Sequence, residues 1–404
     1  MTGRISSNLL YQLGGRSMME MQAQAAKTQQ QLASGKRILS ASDDPNATAL
    51  IMNLEVSLNQ NQQFQRNGET SDSRLAMQDG LLGQMTNTLQ RVRELVIQGK
   101  NDSNNNDSRR YIATEISRLK DQLLDLANYS DANYGHVFAG SKTESTPFIA
   151  LAGGGYQYVG DDSQLQVKIS HGQNMQVNVS GRQIFMNIAN GNGSFYTAAD
   201  TANTGNGAII ASSISGAFVP DDYTVTMTQL LPTDPITYQV TDSGGGVVAS
   251  GTYAEGSDIT FNGAALSIDG TPKNGDVFYL NKSQHQDVFT TLQNIVDAFA
   301  LNGDDPANSA LMHSTIHNEM QSLDQAMYSV ERAHANVGGK LNILERQSDI
   351  NDTVMLANKK NISTLKDLDY YEAITRYQQQ MMSLEAAQRS FLQIQSMNLF
   401  SLLR

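Results

Sequence analysis
The sequence predicts an α+β multidomain protein in which long N- and C-terminal helices form a coiled-coil or helical-bundle rod and carry β-rich inserted domains in the middle. Punctuation is the first observation behind this. Six of the seven prolines (Pro147, Pro220, Pro232, Pro235, Pro272 and Pro306) and 20 of the 32 glycines fall between Pro147 and Pro306, so long helices are confined to the flanks. Periodicity is the second: apolar residues in the flanks recur at alternating gaps of three and four, whereas the middle holds short period-two runs bounded by Gly, Asp and Pro. Third, the chain ends on an amphipathic stripe, Tyr370, Ile374, Tyr377, Met381, Leu384, Ala387, Phe391 and Ile394, and not on a polar tail. Such a stripe needs a partner helix from its own chain or from a neighbour, which makes assembly the leading functional reading.

From the N-terminus, residues 1–33 form a Gln-rich helical candidate. Its stripe, Met18, Met21, Ala25 and Leu32, is thin, so this helix is expected to be frayed or disordered before assembly. Gly35 should end it, Ser42 or Asp43 offers a cap, and Pro45 suits the first turn of the next helix. A phosphate loop at 34–36 is disfavoured, because Arg37 stands where Ser or Thr is required. From Asn46 to Gln98 the chain runs 53 residues without Pro, enough for a helix of about 80 Å at 1.5 Å per residue, with Gly68 as a candidate interruption. Its second half carries Leu75, Gln78, Leu82, Met85, Leu89, Val92 and Val96. After the polar turn Gly99–Asn106, Ser108 can cap a third helix bearing Ile112, Ile116, Leu119, Leu123 and Leu126. A short loop makes these two helices antiparallel neighbours, with a rod core of Leu82, Met85, Leu89, Val92, Val96, Leu119, Leu123 and Leu126.

Beyond Asn128 the helical pattern stops. LQVKIS and MQVNV, within Gln164–Val179, read as a hairpin, and a second strand-rich block runs from Tyr223 to Leu280. Two small β subdomains follow, with their boundary in the Gly/Asn/Ala/Ser-rich stretch 190–215. Asp161, Asp162, Asp221 and Asp222 read as solvated turn acids, since no calcium-loop pattern surrounds them. Helix returns at Gln286–Ala300 and from Asn308. His313 and His317, four apart with Glu319 nearby, have metal spacing but lack the Glu after the first His that a zinc protease uses, so a metal-dependent surface enzyme is only a distant alternative. Leu341, Leu344, Asn351, Met355, Asn358, Ile362 and Leu365 approximate a heptad seam whose two Asn can fix register. In the final helix, Ile374, Tyr377, Met381, Leu384, Phe391, Ile394 and Leu399 are the expected assembly interface.

Composition narrows the functional classes. A net charge of −12 and a pI near 4.9 argue against nucleic-acid and anionic-membrane partners, which want Lys and Arg in patches. No apolar run approaches the roughly 18 residues of a membrane helix, and the N-terminus lacks the basic start and apolar core of a secretory signal. Cys is absent, which removes disulfides, thiolate chemistry and Cys-based metal sites and fits a life outside the reducing cytosol. No catalytic, cofactor or metal residue is assigned.

Four stretches carry a specific resemblance: LASGKRILSASDDPNATAL (32–50), LQRVRELVIQGKNDSN (89–104), VFAGSKTESTPF (137–148) and DLDYYEAITRYQQQMMSLEAAQRSFLQIQSMNLFSLL (367–403). The chain resembles the flagellin-like family of bacterial axial proteins, and within it the hook-filament junction group of hook-associated proteins. The first two stretches are shared with flagellin itself, which keeps a filament flagellin as the near alternative. The resemblance implies terminal helices (1–42 with 366–404) that assemble into the inner tube of a ring of subunits, a helical rod domain (43–138 with 285–365) and outward β domains (139–190 with part of 191–284). It also implies export through the flagellar type III channel without a cleaved signal peptide and an extracellular location at the hook-filament junction. The implied partners are the first hook-associated protein, flagellin, further copies of this chain, and an export chaperone masking the C-terminal helix.

Overall fold
The computed structural model describes residues 7–152 and 154–401, with side chains described for residue 9 and for 11–393 apart from 153. It divides into two compact units, Met1–Arg66 with Gln347–Arg404, and Asn67–Arg346. Six α-helices occur among the described residues: α1 (Ser7–Ser34), α2 (Pro45–Gly99), α3 (Asn106–Ala127), α4 (Val288–Ala300), α5 (Pro306–Lys366) and α6 (Tyr370–Ser401). Helix α2 runs through Gly68 without interruption. One helical glycine costs only about 1 kcal/mol, which a helix of this length absorbs.

The helix starts differ from those expected. Because Pro45 occupies the first helical position, the cap of α2 is Asp44, whose carboxylate accepts from the Ala47 N–H at 3.0 Å. Asp43 instead accepts from the N–H groups of Leu39 and Ser40, both at 3.0 Å, and braces the loop before it. Asn105, with extended backbone, caps α3 by accepting from Ser108 N–H at 2.8 Å, so Ser108 lies inside the first turn. Asp287 caps α4 by accepting from Thr290 N–H at 2.7 Å, which moves that helix's start from the expected Gln286 to Val288.

In the Asn67–Arg346 unit, α3, α4 and the adjoining parts of α2 and α5 share one apolar core. Leu82, Met85, Leu89, Val92, Val96 and Leu123 are fully buried in it, while Leu119 and Leu126 pack on it partly exposed. Ion pairs join neighbouring helices at the rim: Arg91 to Glu115 at 2.9 Å and Arg93 to Asp324 at 2.9 Å. Short antiparallel pairs cover one end of this core. They are β1 (Ser130–Asp131) with β2 (Gly135–His136), β3 (Phe148–Ala150) with β4 (Tyr156–Tyr158), and β5 (Gln166–Lys168) with β6 (Asn174–Gln176). After a π-helical turn at Arg182–Met186 comes β7 (Ile188–Ala189), which pairs with β16 (His285–Gln286). Phe148 meets Phe185 at 5.4 Å and Phe289 of α4 at 5.6 Å between ring centroids, so residues 139–190 belong to the helical core and have no separate one.

A second apolar cluster belongs to the outer β-domain. Strand β8 (Phe195–Ala199) closes a five-stranded antiparallel sheet in the order β12 (Val247–Thr252), β11 (Thr237–Thr241), β10 (Tyr223–Thr228), β15 (Val277–Lys282), β8. Strand β9 (Ala208–Ile214) pairs with β14 (Ala264–Asp269), which pairs with β13 (Asp258–Phe261). Tyr223, Val225 and Met227 alternate inward along β10, as a strand with one buried face requires. Within 190–215, residues 195–199 and 208–214 are strands β8 and β9, while the first apolar cluster reaches Ile188 and the second begins at Phe195, with Gly191 and Gly193 at positive φ in the turn between.

What seats the β-domain is a polar ridge on α5. Ser314 Oγ accepts from Ile209 N–H at 2.9 Å, Asn318 Oδ1 from Thr197 N–H at 3.1 Å, and Ser322 Oγ from Gly191 N–H at 2.9 Å. These residues are spaced four apart and so stand above one another on the helix. The two hydroxyl protons go back to Ala310 and Asn318 carbonyls, leaving the oxygens to accept.

Because the two apolar clusters are separate, Leu89→Ala in the helical core and Phe278→Ala in the β core should each cost about 3–4 kcal/mol, and their costs should add in the double variant. Chemical denaturation with segment-resolved hydrogen exchange checks this; a clearly non-additive double variant means the two sites are coupled, and exchange rising in both cores for either single variant means they unfold as one.

Candidate assembly surface
In the Met1–Arg66 and Gln347–Arg404 unit, α1 packs along α6. Gly35, with a positive φ of 69°, ends α1, and the Tyr370 hydroxyl lies 2.8 Å from where a Cβ would stand, so a side chain here would be strained and would displace Tyr370. The next residues clasp the α5–α6 junction. Arg37 N–H donates to Lys366 O at 2.8 Å, Leu368 N–H to Gly35 O at 3.0 Å, and the Arg37 guanidinium to Leu365 O at 2.9 and 3.1 Å. Arg37 thereby satisfies two of the carbonyls that the C-terminus of α5 leaves without intrahelical partners. Asp369 opens α6 by accepting from the N–H groups of Tyr371 and Glu372. Lys27 of α1 reaches the loop acid Asp43 at 2.7 Å, and this cation, with the Ser40 and Leu39 N–H groups, pulls the Asp43 carboxyl down to about 2.

Helices α1 and α6 pack on small and polar residues. Ala25, Thr28 and Gln31 are buried on α1, and Ala373 and Leu384 on α6. Near the far end the Phe391 ring meets Tyr11 edge-on at 5.8 Å and lies over Gly14, where an added Cβ would be 3.1 Å from the ring. The expected interface residues therefore split between two faces. Leu384 and Phe391 turn to α1 and Tyr377 is half-buried, whereas Ile374 (46% exposed) and Met381 (43%) face outward, joined by Tyr371, Met382 and Leu392. Ile394 and Leu399 lie outside the described side chains. Sequence reasoning missed Gly14 and Ala373, whose smallness lets the helices approach, and Arg37; the small residues could have been found as members of the three-four spacing. In the same unit, the buried Asn351 accepts from Gln347 Nε2 of its own helix at 2.9 Å, and Asn358 Nδ2 donates across to Ser57 Oγ of α2 at 3.1 Å. Leu50, Met52 and Val56 of α2 and Ile350 and Leu356 of α5 are exposed. One chain thus leaves many apolar side chains of this unit in water.

The histidines with metal spacing have separate partners. His313 Nε2 lies 2.9 Å from Asp102, His317 Nε2 lies 3.0 Å from Ser212 Oγ, and burial holds the His317 imidazole neutral, its pKa lowered to about 4. Glu319 points elsewhere, accepting from Asn294 Nδ2 at 2.9 Å and Gln286 Nε2 at 3.1 Å; burial pushes its carboxyl up to about 7 against those donors. Among the described residues no group of three His, Cys, Asp or Glu is arranged to hold a metal. The turn acids brace loops: Asp161 accepts from the backbone and hydroxyl of Ser141, and Asp222 from Lys282 N–H. No helix among the described residues is long and apolar enough to cross a membrane.

Comparison with known proteins bears on the whole chain. Residues 5–143 match the bacterial flagellin N-terminal helical region. The crystal structure of FlgL from Xanthomonas campestris is 31% identical, covers 77% of this chain and 99% of its own, and superposes with a TM-score of 0.71. Flagellar hook-associated protein 3 of Escherichia coli K12 is 24% identical over 399 residues, 99% of each chain. Similarity to a Clostridium tyrobutyricum flagellin, 31% over 138 residues, stops at 34% of this chain and 37% of that one.

Two expectations follow from the titratable groups. Asp43 has its folded pKa depressed from 3.8 to about 2, so its contribution to the loop is complete above about pH 4 and is lost as pH falls toward 2. In Lys27→Met the carboxyl should titrate nearer 3.8, as followed by NMR, with earlier loss of loop protection on acidification. Glu319 has the opposite sign: its pKa is raised from 4.5 to about 7, so the fold favours the protonated form and stability falls as pH rises through this window. The thermal midpoint of the wild type should drop between pH 5 and pH 8 more than that of Glu319→Gln; equal drops mean the carboxyl is not the cause.

Proposed function
The chain belongs to the FlgL family, that of flagellar hook-associated protein 3, and from this membership we propose how it acts: as an adaptor ring whose terminal helices supply the subunit contacts. It is a structural component of the bacterial flagellum, of the hook-filament junction, and it associates with other flagellar components. The partial match to flagellins, confined to about a third of the chain, disfavours the filament-subunit alternative. In the proposed mechanism α1 and α6 order fully only when neighbouring copies cover Ile374, Met381, Met382 and Leu392. Like subunits contact side by side to close the ring, while unlike surfaces above and below meet the first hook-associated protein and flagellin, a heterologous arrangement. Leu82, Met85, Leu89, Val92, Val96, Leu119, Leu123 and Leu126 hold the rod that carries the β-domain outward.

The observation that supports this reading is the row of apolar side chains left in water on α6, Tyr371, Ile374, Met381, Met382 and Leu392, together with Leu50, Met52, Val56, Ile350 and Leu356 of the same unit. Before assembly the same face requires masking, which an export chaperone bound to the C-terminal helix provides. The protein then leaves the cell through the flagellar type III channel without cleavage of a signal peptide. No catalytic residue takes part.

A deletion strain should make hooks without attached filaments and shed flagellin into the medium; normal filaments on that background sink the junction role. A chain lacking residues 1–40 and 367–404 should keep its β-sheet and core-helix circular dichroism and lose self-association by light scattering. Retained association moves the interface to the other unit. Ile374→Asp with Met381→Asp should weaken association at least roughly tenfold, the effect of about 1.4 kcal/mol at a buried contact.

A further inference from the structure
We propose that the cleft between α5 and the segments flanking β5 and β6 binds a small hydroxylated organic anion of the sugar-acid class. The cleft has a volume of about 270 Å³. That is several times the ~30 Å³ share of one water in the liquid, room for a monosaccharide-sized solute. Its α5 wall is a ladder of donors, Arg332, Asn336 and Lys340, four residues apart and therefore on one ridge. Lys340 is half-buried and has no hydrogen-bond or ion-pair partner among the described residues; loss of solvent lowers its pKa with no carboxylate to oppose the shift. Arg332 is without a carboxylate partner too, and its guanidinium lies 5.9 Å from the centre of the Tyr328 ring on its own helix.

The opposite wall is fixed in place and its charge is already balanced. Asp162 accepts from the Ser180 hydroxyl and is ion-paired with Arg182 at 3.3 Å, so it does not reach across to Lys340. Asn178 accepts from Leu165 N–H at 2.8 Å and donates to Ser163 O at 2.7 Å, which holds both strands' flanks rigid. The cleft thus offers a solute two cationic donors, Arg332 and Lys340, beside amides of Gln164, Gln183 and Asn336 that can donate or accept, on a protein whose net charge is −12. A carboxylate would take the Lys340 ammonium. Hydroxyls along the same molecule would reach the Asn336 amide and the Arg332 guanidinium, a span that a bare inorganic ion does not cover. No aromatic ring lines the cleft, so recognition is by charge and hydrogen bonds.

The test is titration of the full chain with D-glucuronate, followed by amide NMR and calorimetry, beside D-glucose and inorganic sulfate. Saturable binding of glucuronate is expected, with shifts at Gln176, Asn178 and Ser180, none from glucose, and weaker binding of sulfate. Lys340→Gln and Arg332→Gln should each weaken glucuronate binding by roughly tenfold, the usual effect of losing one charged hydrogen bond. Both side chains reach solvent, so the variants should melt as the wild type does, and Asn336→Ala offers a neutral check with a smaller loss. The proposal is overturned if glucuronate gives no saturable response, if sulfate binds as tightly, or if the variants bind like the wild type. Tighter binding of an oligouronate than of glucuronate would support the site and identify a glycan end as its source.

Discussion
A helix with a thin apolar stripe must share it, and this constraint governs the molecule. None of the long helices carries enough large apolar side chains to be stable in isolation, so each persists only where another element covers it. In the Asn67–Arg346 unit, helices, short hairpins and the ring cluster of Phe148, Phe185 and Phe289 share one apolar core in which Leu82, Met85 and Leu89 are fully buried. In the terminal unit, Ala25, Thr28 and Gln31 meet Ala373 and Leu384. Small and polar contacts permit close approach but contribute little burial, and the apolar residues on the other faces stay in water. In the proposed ring, neighbouring copies supply the cover that the single chain lacks.

Helix α5 links the two kinds of packing. Toward the helical core it presents Met312, Ile316, Leu323 and Val330, all buried. Its polar ridge Ser314, Asn318 and Ser322 would read as a solvated face from composition alone, yet it is buried because strand N–H groups arrive there needing acceptors. An unpaired buried N–H costs about as much as a lost hydrogen bond, so this ridge fixes where the outer β-domain attaches. About three turns further along, the row of Arg332, Asn336 and Lys340 meets no such strand, and there the helix lines an open cleft.

Much of this was legible in the chain itself. The three-four spacing of Leu75 to Val96 and of Ile112 to Leu126 identified antiparallel core helices, the concentration of Pro and Gly between Pro147 and Pro306 located the β insert, and the motif stretches pointed to the axial-protein family. The sequence also showed that α6 has an apolar stripe in need of cover. These features are local or periodic, and one-dimensional spacing suffices to read them.

Tertiary structure alone decided the rest. Asp44 and Asn105 act as caps, and not their polar neighbours, because Pro45 and the backbone at Asn105 set the first helical residue. Within the Gly- and Asn-rich stretch 190–215, residues 195–199 and 208–214 became strands β8 and β9 because their N–H groups find β14, β15 and α5. His313 and His317, adjacent on a helical wheel, part to Asp102 and Ser212 because different elements pack on the two turns. The stripe of α6 divided, Leu384 and Phe391 inward and Ile374 and Met381 outward, because α1 covers only part of its width. Spacing along the chain fixes which residues share a face; only the position of the neighbouring element decides which part of that face is buried.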